Sequence, residues 1–97
     1  MKYLLFSGYV RGWQFYYVKH RCPESMKPGQ KVQLLPEPTN PKDKKAIAIY
    51  WHSKKLGYLP RQSESILLLI QQKAPLITTI NEISANIPRI EVFLWVG

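Results

Sequence analysis

The hydrophobic pattern of this chain changes period along its length. Over residues 3–17 apolar and aromatic side chains dominate, and the stretch predicts one long strand with interior glycines at Gly8 and Gly12. Glycines inside a strand mark a bulge, a sharp bend or a close backbone approach, which are the corners a small barrel needs. Residues 18–29 lose the pattern; two prolines and a closing glycine predict a connection. Alternation returns at residues 30–35, with Val32 and Leu34 on one side and Lys31, Gln33 and Leu35 on the other. Residues 46–51 are β-branched and aromatic and predict a strand; Lys54 and Lys55 predict a turn; residues 56–59 predict a short return strand.

The period then lengthens. Pro60 ends the return strand and suits a first helical turn, where its missing N–H is an orphan in any case. Residues 62–73 predict a helix, with Ile66, Leu69, Ile70 and Lys73 at helical spacing, Leu67 and Leu68 widening the apolar face, and the leucines assigned to the core. Glu64 near its start and Lys73 near its end suit the helix dipole. Ala74-Pro75 stops it, and residues 76–85 and 87–96 predict two more strands joined around Asn86-Ile87-Pro88. Along the last one both alternating sets are apolar, so that strand is either buried on both faces or a contact surface for a second copy. The expected fold class is mostly β with one helix: a small, six-stranded, partly open OB-like β-barrel, largely antiparallel, in a single domain over residues 1–97.

Between the second and third predicted strands lies Pro36-Glu37-Pro38-Thr39-Asn40-Pro41-Lys42-Asp43-Lys44-Lys45. Three prolines in six residues forbid a helix and remove ladder donors, so the segment must be a stiff loop. Asn40 and Asp43 add turn chemistry, since their short side chains bond backbone a residue or two onward. An amide, an acid and three lysines are thereby held in fixed geometry between strands.

Charge sharpens the picture. Through Arg61 there are twelve Lys/Arg against three acids, a net of +9, and from Gln62 onward two against three, a net of −1. The basic character sits with the proline-rich loop and points to a polyanionic partner, most simply nucleic acid, against the alternative of a lysine-rich solvated surface. Upstream, Trp13, Phe15, Tyr16 and Tyr17 put four aromatics in five positions, more than one buried strand face can use. The outward ones either cover a neighbouring loop or form a stacking platform for unpaired bases.

Several function classes fall away. The longest aliphatic run, residues 66–70, is far too short to span a membrane. One cysteine, Cys22, excludes an internal disulfide and fits a reducing cytoplasm, at the nucleoid if the source is bacterial. His20 and Cys22 have no second Cys/His pair at metal-ligand spacing, so no zinc site is expected. No P-loop, paired metal-binding acids or Ser/His/Asp set is present, and neither an enzyme nor a cofactor is expected.

Glu37-Pro38-x-Asn40-Pro41-x-Asp43-x-x-Ala46-Ile47, followed by Leu56-Gly57-Tyr58-Leu59-Pro60-Arg61 and preceded by a weaker block at Gly12 to Tyr17, resembles the HIRAN domain over nearly the whole chain. That family occurs in chromatin-remodelling and DNA-repair ATPases and in small standalone proteins. The resemblance implies an OB-like architecture and capture of single-stranded DNA, especially its free 3′ end. By position it assigns Asn40 and Asp43 to the polar part of the DNA pocket, Phe15 to an aromatic position and Arg61 to a basic one. Tyr16 belongs to the same aromatic block. Two positions depart from the family pattern: Lys42 replaces an aromatic, exchanging a stacking surface for a phosphate contact, and Gln14 replaces a basic residue. Tyr58 either supplies part of the missing stacking or serves the core.

Asp43 poses its own question. A carboxylate repels phosphate, so among Lys42, Lys44 and Lys45 it makes sense as acceptor for a terminal hydroxyl. The alternative is that it bonds loop backbone and fixes the turn. The reading is a non-enzymatic module that grips single-stranded DNA through a basic groove with stacking rings. The alternatives are a protein-interaction or dimerisation module, pairing through the last strand, and an accessory subunit of a helicase or nuclease.

Overall fold

The computed structural model describes residues 1–13 and 23–97. β-Branched and aromatic runs become strands, and breaks between them fall where φ must turn positive or where proline removes a donor. Strands β1 (Lys2–Tyr9), β2 (Gln33–Pro36), β3 (Ile47–Trp51), β4 (Lys54–Tyr58), β5 (Leu76–Ser84) and β6 (Ile87–Trp95) flank a short helix, α1 (Glu64–Gln71). They form two three-stranded antiparallel sheets, ordered β1-β6-β5 and β2-β3-β4.

Two seams tie the sheets into a partly open barrel. At one, the lead-in to β2 lies along β5: the Gly29 amide donates to the Ile80 carbonyl (2.7 Å), Ile80 to Gln30 (2.9 Å) and Val32 to Thr78 (3.0 Å). At the other, Arg11 and Tyr58 exchange both backbone hydrogen bonds, 2.8 and 2.9 Å. The core between the sheets includes Val10, Trp13, Ile47, Ile49, Leu56, Leu59, Ile80, Ile90 and Val92, with Ile66 inserted from α1.

Five expectations shift. The first strand is shorter than expected: β1 ends at Tyr9 and Gly12 at φ 79° turns the chain, while residues 14–17 of that expectation lie outside the described residues. The bulge in β1 falls between Leu4 and Phe6, whereas Gly8 stays in register opposite Ile90, leaving room for the Phe6 ring. The turn after β3 is His52-Ser53, with His52 at φ 55°, so Lys54 and Lys55 belong to β4. The helix covers Glu64–Gln71 and closes on Lys73 at φ 58°, a left-handed C-terminal cap. Its leucines are not all core: Leu68 is 56% exposed.

β6 is buried along one face only. Ile90 and Val92 point inward, while Trp95 and Val96 are exposed at its end beside Tyr3 and Leu4 of β1. β5 and β6 are joined by Ala85-Asn86, both with positive φ (52° and 62°), the geometry of a two-residue type I′ hairpin. Alanine carries a Cβ penalty in that region that asparagine bears more easily. Ala85→Asn is therefore expected to raise stability by roughly 0.5–1 kcal/mol, read as a higher melting temperature; an unchanged or lower value would overturn it. Among the described residues no helix is long and apolar enough to cross a membrane.

Candidate nucleic-acid interface

The proline-rich loop bridges β2 and β3 and is closed by its own backbone. The Glu37 amide donates to the Ala46 carbonyl (2.9 Å), Asn40 to Glu37 (3.0 Å) and Ala46 to Asp43 (3.1 Å). Asn40 is the internal brace. Its Oδ1 accepts from the amides of Lys42 (2.9 Å) and Asp43 (3.1 Å), and its Nδ2 donates to Glu37 Oε1 at 2.9 Å. Asp43 then accepts the Lys45 amide on Oδ1 at 2.9 Å, a second turn of the same kind. The loop thus presents a fixed backbone without a regular ladder.

Beneath it sits a network that sequence reasoning missed. Glu37 and Lys55 form an ion pair at 2.7 Å, with side chains only 25% and 23% exposed. Lys55 Nζ also donates to the Tyr58 hydroxyl (2.6 Å), which donates to Glu37 Oε1 (2.8 Å). Burial alone would raise the Glu37 carboxyl, but hydrogen bonds from Lys55, Asn40 and Tyr58 and the charge of Lys55 outweigh it and hold the group below its ordinary value. Alternation does not single out Lys55: Leu56 and Gly57 are buried in succession and the register slips beside Tyr50, its cross-strand partner, so the period of β4 is broken there. Glu37 stood inside the quoted motif, but a lone acid between prolines reads as solvated.

Tyr58 joins this loop to the seam. Its ring lies under the Arg11 guanidinium (5.3 Å) and the Lys55 ammonium (4.4 Å), while Arg11 Nε donates to the Leu59 carbonyl at 3.2 Å. The ring is half-buried, and Tyr58 is not among the residues that pack the barrel core. Gly57 makes the approach feasible. It adopts φ 149°, and a Cβ there would collide with the Arg11 carbonyl oxygen and with Val10 Cγ1, 2.6 Å away.

The structure therefore brings Asn40, Lys42, Asp43 and Tyr58 together at one corner. Asp43 is half-buried, and its loop neighbours Lys42, Lys44 and Lys45 are exposed. Lys45 reaches Glu64 of α1 at 3.1 Å, a solvent-facing pair of small energetic weight. Arg61 is exposed just after Pro60. Gln14, Phe15, Tyr16 and Tyr17 lie outside the described residues, as do His20 and Cys22. A pocket of about 260 Å³ opens elsewhere, where β2 meets the end of α1 and the start of β5; Val32, Leu34, Ile70 and Leu76 help line it, and no titratable group does. Among the described residues no group of three or more His, Cys, Asp or Glu stands together.

Fold and corner define a small OB-like barrel whose proline-braced loop is fastened to a closing seam. The HIRAN domain family model matches residues 3–96, and the chain belongs to that family. The crystal structure of the HIRAN domain of human HLTF superposes with a TM-score of 0.71 at 20% identity, covering 97% of this chain and 78% of that one. At that identity the likeness speaks for the fold alone. No curated protein matches the chain significantly.

Proposed function

We propose that this protein is a non-enzymatic module that binds single-stranded DNA and receives its free 3′ end at the Asp43 corner. Membership of the HIRAN family, a family of DNA-binding domains, supports nucleic-acid binding in general. The observation that carries the finer reading is the placement of Asp43: half-buried, braced through Oδ1 to the Lys45 amide, and flanked along the loop by the exposed Lys42, Lys44 and Lys45. The turn-fixing role expected as an alternative is thus present, and the two roles coexist, because a carboxylate has acceptor positions beyond the one used. Lysines attract the phosphates, whereas the carboxylate favours a hydroxyl over a phosphodiester. Asn40, with Oδ1 committed to loop amides, acts chiefly by holding this geometry. Arg61 and Lys42 contribute phosphate contacts, and Gln14, Phe15 and Tyr16 flank the bases. In the cell such a module delivers DNA ends to a separate helicase or nuclease.

Fluorescence anisotropy with matched oligonucleotides ending in a 3′ hydroxyl or a 3′ phosphate tests this reading. The hydroxyl end is expected to bind about tenfold tighter, consistent with one hydrogen bond to a charged group of roughly 1.5 kcal/mol. Asp43→Ala is expected to abolish that preference while retaining charge-driven binding. Equal binding of both ends by the native protein would reduce the claim to electrostatics, and no binding at low salt would end it. A second reading, contact between copies, is favoured by exposed Tyr3, Leu4, Trp95 and Val96 on neighbouring strands. Light scattering checks it, and a monomeric mass at high concentration removes it.

A further inference from the structure

Beyond the corner, the outer surface of the barrel carries cations and rings in alternation. Arg11 lies over Tyr58, as above, through the seam that joins β1 to β4. Two residues back along the chain, on the same side because Val10 between them is buried, stands Tyr9, 47% exposed. Tyr9 is in register with Arg89 of β6, whose guanidinium sits 5.0 Å from the Tyr9 ring centroid. Arg89 also donates to Ser7 Oγ at 3.3 Å and lies 3.8 Å from Glu82. Glu91, two residues on and facing the same way opposite Ser7, brings a carboxylate that repels phosphate. The stripe Tyr58, Arg11, Tyr9, Arg89 therefore begins at the loop and stops at an acidic border.

We propose that this stripe is a second nucleic-acid subsite, carrying the nucleotides that lie inward of the end held at Asp43; it rests on the function proposed above. The spacing suits such a ligand. Two residues along a strand and one strand spacing on either side give a path of roughly 15–20 Å, within the ~4–16 nucleotides that an OB fold engages. Rings accept any base by stacking, and flanking guanidinium groups serve both the ring faces and the phosphates. Tyr9 is the informative residue: it is exposed, so packing does not account for it, and it is held in place by a cation on β6.

The experiment compares oligothymidylates of three and nine nucleotides by anisotropy over a salt series. Tyr9→Ala is expected to weaken the nonamer about fivefold or more, by loss of a stacking contact, and to leave the trimer within about twofold. Arg89→Gln is expected to lower the salt slope for the nonamer by about 0.7, the share of one phosphate contact on a single strand, with the trimer slope unchanged. Equal losses on both lengths, or none on either, would overturn the subsite. Should a variant fold poorly, the native protein still decides, because a nonamer salt slope no steeper than that of the trimer overturns it as well. A trimer that binds while the nonamer gains nothing defeats only the stripe, whereas absence of binding at either length defeats the proposed function and the stripe with it.

Discussion

Gly57→Ala is expected to cost the fold about 3 kcal/mol, lowering the melting temperature of this 97-residue chain by roughly 10–20 °C. Two costs combine. The backbone of Gly57 lies at φ 149°, a region that side chains strongly disfavour. The added carbon also meets the Arg11 carbonyl oxygen, a backbone atom already accepting from the Tyr58 amide at 2.9 Å. Relief requires the first strand to retreat, which breaks both hydrogen bonds of the seam. Urea denaturation measures the loss, and faster amide exchange at Arg11 and Tyr58 locates it. A loss under about 1 kcal/mol, with exchange at those amides unchanged, would mean that the seam does not depend on this glycine.

The same variant bears on binding. Arg11 and Tyr58 meet only because the seam closes, and Tyr58 in turn holds Glu37. A protein with the seam opened keeps its lysines and hence its general attraction for phosphate. It loses the fixed relation between the proline-rich corner and the outer stripe.

Much of this was legible in the order of residues. Alternation in residues 30–35 separated Val32 and Leu34 from Lys31, Gln33 and Leu35, and the structure covers the first pair and exposes the other three; three prolines announced a loop where one stands. The overreach at residues 3–17 has a simple cause. Aromatics beyond Gly12 continue a β-like composition, and composition does not record that φ turns positive there. The two lysines of β4 looked like a turn because turn residues and exposed strand residues are equally polar. The irregularity between Ile49 and Tyr50 hides the period that would have separated them. Asn40 and Asp43 were legible as a pair, since their spacing favours side-chain-to-backbone bonds. The acid and the cation beneath them, Glu37 and Lys55, stand 18 residues apart and meet only through the β3–β4 hairpin. No local pattern reports such a meeting.

That part-buried pair gives the second large effect. Lys55→Met keeps most of the stem volume but removes the cation, leaving a partly buried Glu37 carboxylate with Asn40 and Tyr58 alone. The loss at pH 7 is expected to be about 2 kcal/mol, since breaking a mostly buried pair strands one charge. Glu37→Gln keeps hydrogen-bonding capacity and is expected to cost less, about 1 kcal/mol. The acid dependence separates this pair from ordinary packing. The Glu37 carboxyl is held below its ordinary value of 4.5 in the folded protein. Its contribution is therefore fully present above that value and is lost as pH falls through the lower, folded one. The native protein should then lose stability on acidification below about pH 5 more steeply than Glu37→Gln, and the gap between their unfolding free energies should narrow. Urea titrations of both proteins between neutral and acidic pH give that gap directly. If it stays constant down the series, Glu37 does not enter the folded state as a charge held by Lys55, and the brace beneath the loop is neutral hydrogen bonding alone.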